Sequence, residues 1–172
     1  MTVTGTNGVN GGIRGTQSHS SGKVMIQFSL LCTGSVDGLD YVGVGTAADT
    51  LGLASGSQDQ AIMISSMAVF SDGFITNNGG TGGWPTAWVT NPETVLDLAI
   101  DFTAGTFWFR YDGGNWNGSA TANPATNIGG YALGAGTVGK ALLPYVRCTN
   151  ANCSITINTG PGSLPSGFST WG

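Results

Sequence analysis

Asp97 and Asp101 lie four residues apart in an alternating stretch, and two carboxylates are the minimum apparatus of glycoside hydrolysis. On a strand both fall on one face. Four residues of strand nevertheless span roughly 13 Å, too far for either the retaining or the inverting geometry. The one histidine, His19, sits among Ser, Thr and Gly, so a Ser/His/Asp triad lacks a rigidly held base. Three cysteines and this histidine show none of the paired spacings of a zinc site. Asp37-Gly38-Leu39-Asp40 offers too few oxygens for a dedicated calcium loop and reads as a solvated turn. The chain is therefore expected not to be an enzyme and to hold no metal or cofactor.

Residues suited to binding gather instead between positions 71 and 93. Asp72, Asn77 and Asn78, then a glycine-rich run, lead into Trp84-Pro85-Thr86-Ala87-Trp88. A tryptophan face for stacking beside amides for hydrogen bonding is what a protein- or glycan-binding surface uses. Asp72, Asn77, Asn78 and Trp84 are the expected ligand-binding residues, whereas Trp88 reads as packing at the edge of the domain. Residues 46–60 and 112–139 form two further long loops, and long loops on a rigid scaffold are where recognition concentrates.

The elements that must position these loops are strands. In V-L-D-L-A-I-D-F, Leu96, Leu98, Ile100 and Phe102 alternate with Asp97, Ala99 and Asp101, the period of a half-buried strand. Phe107, Phe109 and Tyr111 then alternate with Thr106, Trp108 and Arg110, and Thr103-Ala104-Gly105 has the length and glycine of a three-residue hairpin loop. Further strands are predicted over 24–31, 41–45, 61–70, 94–102, 106–111, 142–148 and 153–158. No segment shows a clean helical period; residues 138–143 alone could turn helical, and Pro144 would stop them.

The hairpin carries a family resemblance. Asp101, Gly105, Phe107-Trp108-Phe109, Asp112-Gly113 and Trp116 resemble the signature hairpin of SPRY domains. Gly22-Lys23, Val42-Gly43-Val44-Gly45, Asn123-Pro124-Ala125-Thr126, Leu143-Pro144-Tyr145-Val146, the stretch from Ile155 to Gly160, and Leu164-Pro165-Ser166-Gly167-Phe168 resemble other family segments in the family's order. Two positions depart from it: the first strand lacks the usual Tyr/Trp-x-Glu pattern, and Thr159 stands where an aromatic residue usually precedes the glycine. The resemblance implies an all-β fold, a bent antiparallel β-sandwich of jelly-roll type. It also implies that Asp101 caps the hairpin turn and that Trp108 and Trp116 are structural.

At 172 residues, with 30 glycines, 8% charged and 40% hydrophobic residues, the chain suits one domain of short strands and many turns. Residues 1–21 are nearly devoid of apolar side chains and read as a flexible arm or linker before a domain over 22–172. Five scattered basic residues and a formal net charge of −4 argue against nucleic acid. No run approaches a membrane span, and the first dozen residues do not read as a secretory leader. Cys148 and Cys153 flank a four-residue loop and share a face, so a disulfide is possible there. The odd count, with Cys32 the third, and the expected absence of a leader weigh towards two buried free thiols.

So few charges leave a surface poorly protected against association, which suits a protein locked into an assembly. The expectation is a non-enzymatic recognition or assembly domain of a virus particle: a bacteriophage tail-fibre, receptor-binding or capsid-decoration protein, assembled in the host cytoplasm and located in the virion. Its partners would be other virion proteins or a host-surface protein or glycan, with the chain a homo-oligomer or part of a larger assembly. The alternative is a cellular or secreted peptide- or glycan-binding SPRY module excised from a larger chain.

Overall fold

The computed structural model describes residues 2–4, 11–32, 41–49, 62–65, 68–70, 74–77, 93–134, 137–148 and 153–172. Thirteen strands are described: β1 (Thr2–Thr4), β2 (Gly11–Arg14), β3 (Lys23–Cys32), β4 (Tyr41–Gly45), β5 (Ile62–Ser65), β6 (Ala68–Phe70), β7 (Phe74–Asn77), β8 (Thr94–Asp101), β9 (Thr106–Tyr111), β10 (Tyr131–Ala132), β11 (Leu143–Cys148), β12 (Cys153–Asn158) and β13 (Ser169–Thr170). One sheet runs β1-β12-β3-β8-β9-β10, and the other β2-β11-β4-β5-β6-β7. These pairings are antiparallel. Among the described strands only β13 lies parallel, on residues 24 and 25 of β3, beyond the point where the β12 ladder ends at Gln27. The architecture is the all-β antiparallel sandwich that the alternation predicts.

The core between the sheets is the set of inward positions. Val24, Ile26, Phe28 and Leu30 of β3, Leu96, Leu98 and Ile100 of β8, and Phe107 and Phe109 of β9 meet Val42, Val44, Ile62, Ile64 and Val146 of the second sheet. Alternation fails on the other face of the first sheet, which is not left to water. Met25, Ala99 and Trp108 form a second small core there with Ala122 and Phe168. Trp108 is fully buried, and its indole N–H donates to the Ile128 carbonyl at 2.9 Å.

Three local expectations change. The connection between β8 and β9 has four residues, because Asp101 pairs with Thr106 and Phe102 stays buried, its amide bonded to Gly22. Asp101 does cap the turn, accepting from the Ala104 amide at 2.9 Å, and Gly105 supplies the left-handed residue at φ +65°. The strand expected over 61–70 is instead two strands, β5 and β6, paired with each other, since Met63 and Phe70 come back into register. In place of a helix over 138–143 there is a turn closed by Lys140 N–H to Thr137 O at 3.1 Å, followed by β11.

The segment set apart as an arm contributes to both sheets. β1 pairs with β12 and β2 with β11, at the edge of each sheet, although neither strand has the apolar alternation that marks a strand in sequence. Edge strands are held by main-chain hydrogen bonds available to any residue but proline, so Thr and Gly serve.

Candidate functional site

Of the four expected ligand-binding residues, Asn77 ends β7, the last strand of the second sheet's order. Asp72, Asn78 and Trp84 lie outside the described residues, as do Trp88, Asp37 and Asp40. The stretch read as one long loop is therefore interrupted by a strand, and β6 and β7 form a hairpin with a register shift at Val69/Phe70. A bulge of this kind turns the strand pair at its tip. The candidate loop accordingly leaves from one corner of the second sheet.

The carboxylates weighed for chemistry are committed elsewhere. Asp97 is 4% exposed; its Oδ2 accepts from Arg110 Nε at 2.8 Å and its Oδ1 from Gln27 Nε2 at 2.9 Å. Asn158 donates in turn to Gln27 Oε1 at 3.1 Å. These four side chains occupy one row across β12, β3, β8 and β9, set by the register. Arg110 also lies over the Trp116 ring, 4.4 Å from its centroid, a cation–π contact between two half-buried side chains. Asp101 pairs with Lys23 at 3.1 Å. Neither carboxylate is placed to act as a glycosidase acid or nucleophile, because each is consumed in holding adjacent strands.

His19 is not on a loose arm. Its backbone forms a two-way bridge with Leu142 at 2.9 and 2.8 Å, and its Nε2–H donates to the Trp171 carbonyl at 2.6 Å. Trp171 is fully buried, meets the imidazole edge-on at 5.0 Å, and donates its indole N–H to Gln17 O at 3.0 Å. The histidine therefore clasps the two ends of the chain together. Sequence reading missed this because the contact joins residues more than 150 positions apart.

Of the two buried free thiols expected, one is found and the other is not. Cys153 is disulfide-bonded, while Cys148 keeps a buried thiol whose Sγ donates to the Cys153 carbonyl at 3.2 Å. The backbone position facing Cys153 across the β3–β12 ladder is Cys32. The sequence-adjacent pairing across the 149–152 loop is therefore not made; the long-range register puts Cys32, not Cys148, opposite Cys153 on the ladder.

One cavity of about 310 Å³ lies beside the clasp, between residues 14–17 and a wall of Pro144, Ile157, Thr159 and Trp171. Arg14 borders it, its Nη1 and Nη2 donating to the carbonyls of Thr46 and Asp49 at 2.8 and 2.6 Å. The Asp49 carboxylate closes that turn by accepting from the Thr46 amide and hydroxyl. Nothing in the sequence marks this cavity, since its lining comes from four separate segments.

No family model matches the chain, and none of the curated proteins does. Among solved structures, the SPRY domain of human HERC1 is similar over 91% of this chain and 86% of that one, with a TM-score of 0.58 and 15% sequence identity. At that identity the likeness is one of fold. Together with the two-sheet topology and the Asp101-capped hairpin, it makes this chain a SPRY-like β-sandwich.

Proposed function

We propose that the chain is a non-enzymatic recognition or assembly domain exposed on a virus particle, in a bacteriophage tail fibre, a receptor-binding protein or a capsid decoration. The observation that supports this is a rigid SPRY-like sandwich, a fold suited to protein interaction, in a chain with only 8% charged residues. Such a surface resists association poorly and fits a subunit held among others. Its binding residues in this reading are Asp72, Asn77, Asn78 and Trp84, on and beyond the corner strand β7, and its partners are virion proteins or a host-surface protein or glycan. Purified protein is expected to self-associate or to bind virions or host cells. A strictly monomeric protein that binds neither sinks the reading. Trp84→Ala and Asn78→Ala should each abolish binding while leaving thermal unfolding unchanged; joint loss of folding would make these residues structural.

A second reading, a secreted binding module excised from a larger chain, is favoured by the disulfide at Cys153, because such bonds persist in oxidising surroundings. The surface of a released virion meets the same condition. The genes beside this one discriminate: structural virion genes support the first reading, and adhesion or signalling domains in the same frame support the second.

A further inference from the structure

The cavity beside the terminal clasp has fixed walls and unused chemistry. Gly15 N–H binds Pro144 O at 2.8 Å, Trp171 is held to Gln17 and His19, and Arg14 is anchored to the 46–49 turn. Walls ordered in advance spare a ligand the entropy of organising them. Arg14 has carbonyl oxygens as partners and no carboxylate within ion-pair distance among the described residues, and the nearby Asp49 carboxylate is taken up by the Thr46 amide and hydroxyl, so the guanidinium at the cavity wall lacks a direct ion-pair partner. The hydroxyls of Thr16 and Thr159 and the amide of Gln17 make no side-chain hydrogen bond among the described residues, and all three residues are exposed. Each can both donate and accept. Pro144 and Ile157 supply an apolar wall behind them.

We propose that this cavity binds a carboxylated sugar. Arg14 meets the carboxylate, the groups of Thr16, Gln17 and Thr159 exchange hydrogen bonds with ring hydroxyls, and Pro144 and Ile157 face the apolar side of the ring. The cavity's volume lies at the lower end of the range for small-molecule sites, which suits one saccharide unit. A neutral sugar leaves the guanidinium without its counter-charge, and a simple amino-acid carboxylate leaves the hydroxyl and amide groups without partners. None of the residues that line the cavity belongs to 71–93, so the proposal stands or falls independently of the residues assigned there.

Amide chemical-shift titration of the full chain with glucuronate, glucose and N-acetylglycine tests this. Glucuronate is expected to give saturable shifts at residues 14–17, 157, 159 and 171, with glucose and N-acetylglycine each weaker by about tenfold, the loss of one well-placed charge-assisted or multiple hydrogen-bonded contact. Arg14→Gln should weaken glucuronate by a similar factor. Because Arg14 also anchors a turn, Thr159→Trp provides a second variant that fills the mouth from an exposed position; it should abolish the shifts with the melting temperature unchanged. Absence of saturable shifts with glucuronate overturns the proposal. Glucose binding as tightly overturns the role of Arg14, and N-acetylglycine binding as tightly overturns the sugar. Trp84→Ala should leave this titration untouched even if it abolishes binding to virions or cells.

Discussion

Removing the carboxylate of Asp97 strands a guanidinium and an amide in the middle of a sheet. Asp97→Ala is expected to cost about 2–3 kcal/mol in denaturant unfolding, less than for a fully buried pair because the Arg110 side chain is 21% exposed and water can reach it. Asp97→Asn, which keeps one acceptor, should cost less. Gly130 is a steric case: a Cβ there would sit 2.6 Å from Cζ2 of the buried Trp108, so Gly130→Ala should destabilise by about 1–3 kcal/mol through overpacking. Tyr131 gives a pH signature. It packs on Phe107 and Phe109 with ring centroids 5.7 and 5.9 Å away, and burial pushes its phenol above the usual tyrosine value. The fold favours the neutral phenol, so this contribution is complete below the unfolded tyrosine pKa and is lost as pH rises through the higher folded value. Tyr131→Phe should therefore flatten the alkaline fall in stability, read as the urea midpoint from about pH 9 upward.

At the scale of elements, the sharpest question is the beginning of the chain. Composition alone sets residues 1–21 apart as an arm, yet they provide β1, β2, the His19–Leu142 bridge and the acceptor for the Trp171 indole. Deleting them uncovers two sheet edges and undoes the clasp. A melting temperature lower by about 10 °C or more is expected, since each kcal/mol is worth roughly 2–4 °C in a domain of this size. An unchanged melting temperature would return the segment to the status of a linker. The β8–β9 hairpin behaves in the opposite way. Its apolar alternation, its capping aspartate and its turn glycine were all readable locally, because each acts within a few residues of itself.

For the whole molecule, the disulfide is the most direct check on how the strands are arranged. Cys153 should resist alkylation until reduced, whereas Cys148, being buried as a thiol, should react only on unfolding. Peptide mapping is expected to pair Cys153 with Cys32, the residue opposite it in the β3–β12 register; a Cys148–Cys153 bridge would contradict the arrangement of the two sheets at this edge. Among the described residues no helix is long and apolar enough to cross a membrane. Of the expected binding surface, only Asn77 falls within the described backbone, at the end of β7, the last strand in the second sheet's order.

Alternating apolar residues, turn glycines and aspartate caps act over short range, and from them the all-β class, the inward faces and the central strands follow from sequence. Which strands become neighbours, and what covers their outer faces, depends on contacts between residues far apart along the chain. That is why the edge strands of the first 21 residues, the second core around Trp108 and Phe168, the Asn158–Gln27–Asp97–Arg110 row and the cavity at Arg14 emerge only in the folded sandwich. Backbone hydrogen bonding at an edge needs no particular side chain, and a cavity wall assembled from four segments leaves no local pattern to read.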